Sequence, residues 1–174
     1  MNFTEVILVD EQNEQLGTME KMEAHQKGLL HRAFSIFIFN NNGQMLLHRR
    51  ALAKYHSPGL WTNACCSHPF PGETTLNAAT RRLKEEMGFQ CPIDETGSFI
   101  YHATFENGLT EHEFDHLFIG TFNGDIFPNE EEVCGYKWLS IHEIDELLES
   151  SASEFTVWFK IAYPKIKESL TSLS

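Results

Sequence analysis

The strongest hydrophobic pattern in the chain is His31–Asn40, which is rich in Phe and Ile and is followed by a run of Asn and Gly. Such a segment is typical of a strand that enters a hairpin. The pattern therefore predicts a strand over His31–Asn40 and its hairpin partner over Gln44–Arg50. A weaker alternation predicts another strand at Thr4–Val9, followed by a turn over residues 11–17.

A helix is predicted between Thr74 and Gly88. Thr74 or Thr75 can cap the first backbone N–H groups, and Gly88 stands where helices commonly end. Apolar residues within the segment recur at steps of three and four and predict one buried stripe. The stripe consists of Leu76, Ala79, Leu83 and Met87.

The polar face of this helix carries two candidate ion pairs, Arg81 with Glu85 and Arg82 with Glu86, each one turn apart. Taken alone, such pairs are typical of a surface helix without a site. The segment upstream changes this interpretation because it supplies thiol, hydroxyl and imidazole groups. These groups belong to Cys66, Ser67 and His68. We therefore place the candidate chemistry within Trp61–Phe89.

Strands and helices alternate along the rest of the chain. The further predicted elements are helices at Met19–Gln26, Ile141–Glu149 and Glu154–Leu170, and strands at Ser98–Phe105, Glu111–Phe122 and Tyr136–Leu139. Pro164 is expected to kink or end the first part of the last helix. The pattern predicts an α+β fold, a mixed sheet with helices on its faces. Because no repeat, low-complexity tract or linker interrupts the chain, residues 1–174 are expected to form a single domain.

Composition and charge restrict the function. The net charge of −12 argues against the basic surface of a nucleic-acid-binding protein, although a few Lys and Arg residues can hold a phosphorylated small molecule. No apolar run approaches the roughly 20 residues that cross a bilayer, and the N-terminus lacks a signal-peptide pattern. We expect a cytoplasmic monomer that binds neither nucleic acid nor membrane. The acidic run Glu130–Glu132 is interpreted as a solvated turn.

Histidines and carboxylates indicate a candidate metal site. On the predicted strand, Glu111 and Glu113 share one face and repel each other unless a cation lies between them. The candidate nitrogen ligands are His25, His31 and His68. Three imidazoles with carboxylates suit Zn, Mn or Fe. The alternative is a set of scattered, solvated residues, since no HExxH or CxxC pattern supports a metal.

The cysteines are expected to be free thiols, because none forms a CxxC pair. On an extended segment, Cys66 and His68 point to one side while Cys65 and Ser67 point to the other. No role is predicted for Cys65, Cys91 and Cys134. The histidines without a predicted role are His48, His56, His102, His112, His116 and His142.

The stretch Trp61–Phe89 resembles a degenerate Nudix box, which has a Gly, a Glu six residues later, and then Arg-Glu-aliphatic-x-Glu-Glu-x-Gly-aliphatic. The matched positions are Glu73, Arg81, Glu85, Glu86 and Gly88. Two positions depart from the box: Ser67 stands at the opening Gly, and Arg82 replaces a Glu that hydrolases use to hold metal. These departures argue against ordinary Nudix pyrophosphate hydrolysis.

Over about Val6–Trp158 the chain is similar to the type I isopentenyl diphosphate isomerases, a Nudix-like family with an N-terminal extension. The similarity rests on TN-x-x-C-x-HP at Thr62–Pro69, on Arg49-Arg50-Ala51 and on Glu111-x-Glu113, which occur in order and at compatible spacings. A mixed sheet flanked by helices is the fold that this resemblance implies.

The resemblance also implies the site residues. The implied catalytic residues are Cys66, Glu113 and Tyr101. One divalent metal (Mn, Zn or Mg) is implied on His25, His31, His68, Glu111 and Glu113. Glu86 is implied to hold a Mg²⁺ that bridges to the substrate diphosphate. The implied substrate contacts are Lys21, Arg50, Lys54, Ser67 and Arg82 for the diphosphate and Trp158 for the hydrocarbon. Without the resemblance, Arg50 and Lys54 are equally well interpreted as exposed loop charges.

The implied reaction interconverts isopentenyl diphosphate and dimethylallyl diphosphate, in isoprenoid biosynthesis. An unactivated alkene is a very weak base, so its protonation needs a placed acid, and a base must then remove a different proton. We assign the acid role to Glu113, supported by Tyr101, and the base role to Cys66, whose pKa neighbouring cations are expected to lower. An indole face, that of Trp158 or Trp61, can stabilise the intermediate carbocation; for each of the two, core packing is the alternative.

Two other functions fit parts of the sequence. A Nudix-type diphosphate hydrolase fits the box, but Arg82 and Cys66 argue against it. A metal-containing binding module for prenyl or nucleoside diphosphates would bind its ligand without forming a product. The isomerase is the leading hypothesis.

Overall fold

A nine-stranded mixed sheet forms the centre of the computed structural model, which describes residues 4–172. The strands are β1 (Glu5–Val9), β2 (Gln15–Glu20), β3 (His31–Phe39), β4 (Met45–Arg50), β5 (Trp61–Thr62), β6 (Cys65–Ser67), β7 (Ile93–Thr104), β8 (Thr110–Thr121) and β9 (Val133–Leu139). The helices are α1 (Lys21–Lys27), α2 (Thr75–Met87), α3 (Ile141–Ser150) and α4 (Val157–Ser172). Residues 1–3 and 173–174 of the predicted domain lie outside the described residues.

Strand β3 is buried along most of its length and has a different partner on each side. It pairs in parallel with β8, which places His31 opposite Glu113. It also pairs antiparallel with β6, which places Ser35 opposite Cys66. The strands that carry Cys66 and Glu113 therefore flank β3 from opposite sides.

Helices cover both faces of β3, which explains why its sequence is apolar without alternation. The core on the α2 side includes Phe34, Ile36, Ile38, Ala79 and Leu83. The core on the α3 and α4 side includes Phe37, Phe39, Ile144, Phe159 and Tyr163. Burial of each large apolar side chain contributes about 1.5–3 kcal/mol to stability. None of the helices within residues 4–172 is long and apolar enough to cross a membrane.

The predicted α+β class is confirmed, since the mixed sheet carries helices on its faces. The strands predicted at Thr4–Val9 and His31–Asn40 are present within one residue at each end. The helix predicted between Thr74 and Gly88 is also present. The Thr74 hydroxyl accepts a hydrogen bond from the Asn77 backbone, and Gly88 ends α2 in the left-handed conformation, with a φ of 78°.

One predicted connection is wrong, and the predicted hairpin of β3 and β4 is confirmed only next to its turn. The turn predicted over residues 11–17 is shorter, because Gln15 already pairs with Val9 in the sheet. β4 meets β3 at Phe39 and Met45 but runs along β9, so it is a hairpin partner only next to the turn. The reason is that β6 takes the edge of β3 that a longer hairpin would occupy.

Three residue-level predictions also differ from the structure. Leu76 is 48% exposed, and the buried face of α2 includes Ala78 and Glu86 instead. The strand at Tyr136–Leu139 was expected to be buried, but Tyr136 is 42% exposed because burial alternates along β9. Pro164 was predicted to kink or end the helix, and α4 continues through it, so the second of these alternatives is excluded.

Candidate active site

The predicted site residues come together at one cavity. Those that line it are Lys21, Arg50, Lys54, Cys66, Ser67, His68, Arg82, Glu86, Glu111, Glu113 and Trp158. The remaining three, His25, His31 and Tyr101, reach the cavity wall through contacts with Glu111 and Glu113. Residues from β6, α2, β8 and α4, distant in sequence, thus share one cavity.

The side chains of four predicted metal ligands converge. One ligand atom from each of His25, His31, His68 and Glu113 lies within 4.8 Å of the others. Oε2 of Glu113 lies 2.8 Å from Nε2 of His68 and 3.4 Å from Nε2 of His31. The fifth predicted ligand, Glu111, is adjacent, with Oε2 3.9 Å from Nε2 of His25.

Backbone carbonyl groups fix the orientation of two of these imidazoles. Nδ1 of His25 lies 2.7 Å from the carbonyl oxygen of Lys21, and Nδ1 of His31 lies 2.9 Å from that of Leu29. Because a carbonyl oxygen only accepts hydrogen bonds, each Nδ1 carries the proton and each Nε2 keeps a lone pair. Both Nε2 atoms are buried without a hydrogen-bond partner among the described residues. Such a set of lone pairs beside a carboxylate fits a divalent metal.

The pKa directions in this cluster largely suit metal binding. Burial lowers the pKa of His25, and it lowers the pKa of His68 to about 3. Burial opposes ionisation of Glu113, but the nearby imidazoles of His31 and His68 outweigh it and hold the pKa of Glu113 below its usual range. His31 differs, because its contact with Glu113 outweighs burial and raises its pKa. Neutral imidazole and ionised carboxylate are the ligating forms.

Tyr101 connects the carboxylate pair to β7. The register places Tyr101 opposite Glu113, while its hydroxyl donates a 2.9 Å hydrogen bond to Oε1 of Glu111. Burial, followed by the charge of Glu111, raises the pKa of Tyr101, so the phenol keeps its proton. Tyr101 therefore orients Glu111 directly and lies across the strand pair from Glu113.

The thiol of Cys66 faces two acceptors. Its Sγ lies 3.4 Å from Oγ of Ser35 and 3.2 Å from Oδ1 of Asn63. Ser35 gives its own proton to Asp115, and the Asn63 amide donates to two backbone carbonyl groups. Burial, followed by the charge of Asp115, raises the pKa of Cys66. The expectation that neighbouring cations lower this pKa is therefore wrong for the chain alone, which favours the thiol.

Cys65 lies on the face of β6 opposite to Cys66, as the period-two pattern predicts, and it contacts helix α2. Sγ of Cys65 donates a 2.8 Å hydrogen bond to Oε2 of Glu86. The other oxygen of Glu86 lies 2.6 Å from Nη2 of Arg82. Cys65, which has no predicted role, thus contacts a candidate Mg²⁺ ligand.

Two basic residues of the cavity are paired with an unpredicted carboxylate. Nζ of Lys54 lies 2.6 Å from Oε2 of Glu132, and Nη2 of Arg82 lies 3.7 Å from Oε1 of the same residue. The interpretation of Glu132 as part of a solvated turn is therefore wrong. Burial, followed by repulsion from Lys54 and Arg82, lowers the pKa of Lys21. These cations surround a region that suits an anion.

The two candidate indoles have different surroundings. Trp158 lines the cavity, is 5% exposed, and has the Arg50 guanidinium 5.1 Å from its ring centre. Trp61 packs against the core on the α4 side, with Nζ of Lys137 4.1 Å from its ring. It is absent from the lining of this cavity. The structure thus supports the packing interpretation for Trp61.

Sequence patterns alone missed several residues of the site. These are Ser35, Tyr55, His56, Asn63, Asp115 and Glu132. Asp115 extends the period-two series of Glu111 and Glu113, so the alternation of this strand could have indicated that Asp115 faces the site. His56 and Tyr55 lie in a polar loop without periodicity, so no pattern indicated them.

The comparisons with known proteins agree with this geometry. A model of the NUDIX domain matches residues 29–159. A solved structure from Deinococcus radiodurans has a TM-score of 0.69 at 20% identity, covering 84% of this chain and 90% of that chain. A MutT protein from Methanosarcina mazei Go1 has a TM-score of 0.65 at 19% identity, covering 80% and 94%. Fold and site together define a protein of the NUDIX class.

Similarity in sequence identifies the family within that class. The chain is 49% identical to isopentenyl-diphosphate Delta-isomerase 2 of Photorhabdus laumondii, over 94% of this chain and 95% of that protein. It is 47% identical to isopentenyl-diphosphate Delta-isomerase of Pectobacterium atrosepticum, over 97% and 94%. The chain belongs to the isopentenyl-diphosphate Delta-isomerases, and it is an enzyme.

Proposed function

We propose that the cavity converts isopentenyl diphosphate to dimethylallyl diphosphate and back, for isoprenoid biosynthesis, through a tertiary carbocation. The observation that carries the proposal is the placement of Cys66 and Glu113, which line one cavity from strands on opposite sides of β3. We further propose that the enzyme is a cytoplasmic monomer and that residues 1–174 act as one domain.

Cys66 and Glu113 form the proton-transfer pair. One group adds a proton at C4 of the alkene, and the other removes a proton from C2; the roles exchange in the reverse direction. The sequence assigns the acid role to Glu113, but the pKa directions of the chain alone put the proton on Cys66 and leave Glu113 ionised. A thiol whose pKa is raised is a weak acid toward an alkene, so the proposed acid remains Glu113 and the proposed base Cys66. Tyr101 keeps the neighbouring carboxylate in place.

Two cation sites accompany this pair. We propose that the first holds one Mn, Zn or Mg ion and the second a Mg²⁺ shared with the diphosphate. The ligands of the first are His25, His31, His68, Glu111 and Glu113, and the protein ligand of the second is Glu86. A bound divalent cation supplies positive charge that offsets the clustered carboxylates and phosphate oxygens.

The diphosphate and the hydrocarbon occupy different parts of the cavity in this proposal. The proposed diphosphate contacts are Lys21, Arg50, Lys54, Ser67 and Arg82. Such remote binding energy positions a small hydrocarbon that offers few contacts of its own. Trp158 presents its indole to the hydrocarbon, where a desolvated ring stabilises a cation by about 2 kcal/mol.

The test is incubation of the purified protein with isopentenyl diphosphate and Mg²⁺ in deuterated water, followed by proton and phosphorus NMR. Dimethylallyl diphosphate that carries deuterium and an intact diphosphate is the expected product. Release of phosphate without isomer would instead indicate a Nudix hydrolase, and binding without any product would indicate a binding module.

Variants of the proton-transfer pair test the roles of its two members. Cys66→Ala and Glu113→Gln are expected to abolish turnover while the protein remains folded. The matched control is Cys91→Ser, because this thiol packs against the core beneath α2 rather than in the cavity. Full activity in Cys66→Ala would overturn the assignment.

A further inference from the structure

His56 stands between the catalytic cavity and a second cavity. Both His56 and Tyr55 contribute to the lining of each. The second cavity has a volume of about 440 Å³, compared with about 60 Å³ for the catalytic one. Its lining includes the apolar side chains of Pro58, Leu60 and Phe105. A larger, mostly apolar pocket that is open to solvent beside Glu106 and Asn107 therefore adjoins the small cavity of the proposed reaction.

The imidazole of His56 forms a wall between the two cavities, and the aromatic rings around it hold it in place. It stacks on Phe105 with 4.6 Å between ring centres and an angle of 3° between planes. It meets Tyr55 and Trp158 edge-on, at 4.5 and 5.6 Å between ring centres. The residue is 5% exposed, and its Nε2 lies 3.5 Å from Oε2 of Glu111. Rings packed from several directions do not yield readily to a substrate.

This wall lies beside Trp158, and the proposed function places the hydrocarbon of the substrate against the indole of Trp158. Five-carbon diphosphates offer no polar group at the hydrocarbon end, so only the shape of the cavity can discriminate there. A wall at His56 excludes longer alkyl groups by steric conflict, which is how an apolar pocket rejects larger analogues.

We propose that His56 is a specificity-determining residue that restricts the enzyme to five-carbon prenyl diphosphates by separating the catalytic cavity from the apolar cavity behind it. The inference rests on the proposed function, since it assumes that the hydrocarbon lies against Trp158. Removal of the imidazole joins the two cavities and gives a longer alkyl group a place to lie.

The test compares two substrates with wild type, His56→Ala and His56→Phe. One substrate is isopentenyl diphosphate, and the other is its homologue with a butyl group in place of the methyl on C3. Deuterium incorporation and product formation give kcat/KM for each. We expect the ratio of kcat/KM for the butyl homologue to that for isopentenyl diphosphate to rise about tenfold or more in His56→Ala, because each methylene that enters an apolar site adds binding energy.

The variant His56→Phe distinguishes the steric effect of the ring from the effect of its contact with Glu111. Phenylalanine keeps a ring of similar size but lacks the nitrogen near Glu111, so the wild-type ratio is expected. Leu60→Ala is the matched control, since it enlarges the second cavity without touching the wall. Metal content and the thermal midpoint of each variant show whether the fold and the histidine cluster are retained.

The outcomes distinguish this inference from the proposed function. If wild type does not isomerise isopentenyl diphosphate, the proposed function fails. If wild type is active but the ratio is unchanged in a folded His56→Ala, the inference about His56 is overturned. An equal rise of the ratio in His56→Phe would also overturn it, because the ring would then not be the barrier.

Discussion

Ser35 donates its hydroxyl proton to Asp115, with Oγ 2.8 and 3.1 Å from the two carboxyl oxygens. The pair is buried, and it lies next to the Cys66 thiol. Because Ser35 has only one proton to give, its contact with Asp115 leaves a lone pair directed at Cys66. The pair therefore provides one of the two hydrogen-bond acceptors of the proposed catalytic thiol, the other being Asn63.

Ser35→Ala is expected to lower kcat about tenfold with little change in KM, because the diphosphate contacts are untouched while the thiol loses an acceptor. The free energy of unfolding should also fall by about 1–3 kcal/mol, since the buried Asp115 loses its donor. Steady-state kinetics and urea denaturation measure the two effects.

A double variant distinguishes the effect of Ser35 on the stability of the fold from its effect on the position of the Cys66 thiol. In Ser35→Ala/Asp115→Leu both polar partners are removed, so much of the lost stability should return. The kcat should remain low, because the acceptor that Ser35 offers to Cys66 does not return. Recovery of kcat together with stability would show that Ser35 serves the fold alone.

Glu132→Gln is expected to lower KM for isopentenyl diphosphate severalfold with kcat unchanged. The reason is that Glu132 competes with phosphate oxygens for Lys54 and Arg82. Initial-rate kinetics at fixed Mg²⁺ measure the effect. Glu130→Gln is the matched control, because it removes a neighbouring charge from an exposed position. A higher KM in Glu132→Gln would mean that this carboxylate aligns the cations for the substrate instead.

Metal removal is expected to abolish activity and lower the thermal midpoint, because the Nε2 atoms of His25 and His31 would be left buried without a partner. Dialysis against a chelator followed by scanning fluorimetry measures the loss, and adding back Mn, Zn and Mg separately shows which ion restores it. Elemental analysis should find about one tightly bound ion per chain in wild type and none in His31→Ala.

His116 provides the control for the metal experiment. Like His31 it is a buried imidazole with an unpartnered Nε2, but it contacts Glu95 and lies outside the cluster. His116→Ala should therefore retain its metal. Equal metal loss in both variants would contradict the site.

The sequence predicted those parts of the site that follow from a local period. The alternation of β8 placed Glu111 and Glu113 on one face, and that of β6 separated Cys65 from Cys66, as the contacts with Glu86 and Ser35 confirm. The resemblance named the other site residues, and the structure brings them to one cavity.

The parts that were missed depend on contacts between segments remote in sequence. Glu132 meets Lys54 only because β9 runs along β4. His56 becomes a wall only because the turn between β7 and β8 brings Phe105 against it. No local pattern encodes such pairings, so they became visible only in the folded chain.

Gly88 was predicted as the end of α2, and the structure shows a second reason for glycine there. Its φ of 78° is in the left-handed region, and a Cβ would fall on the backbone of Phe127. Gly88→Ala should therefore lower the free energy of unfolding by about 2–5 kcal/mol, combining left-handed strain with steric overlap. Gly43→Ala has a similar φ of 73° but no atom within 4 Å of its Cβ, so it should cost only about 1–2 kcal/mol. Urea denaturation of both variants measures the difference, and equal losses would show that the backbone of Phe127 moves aside.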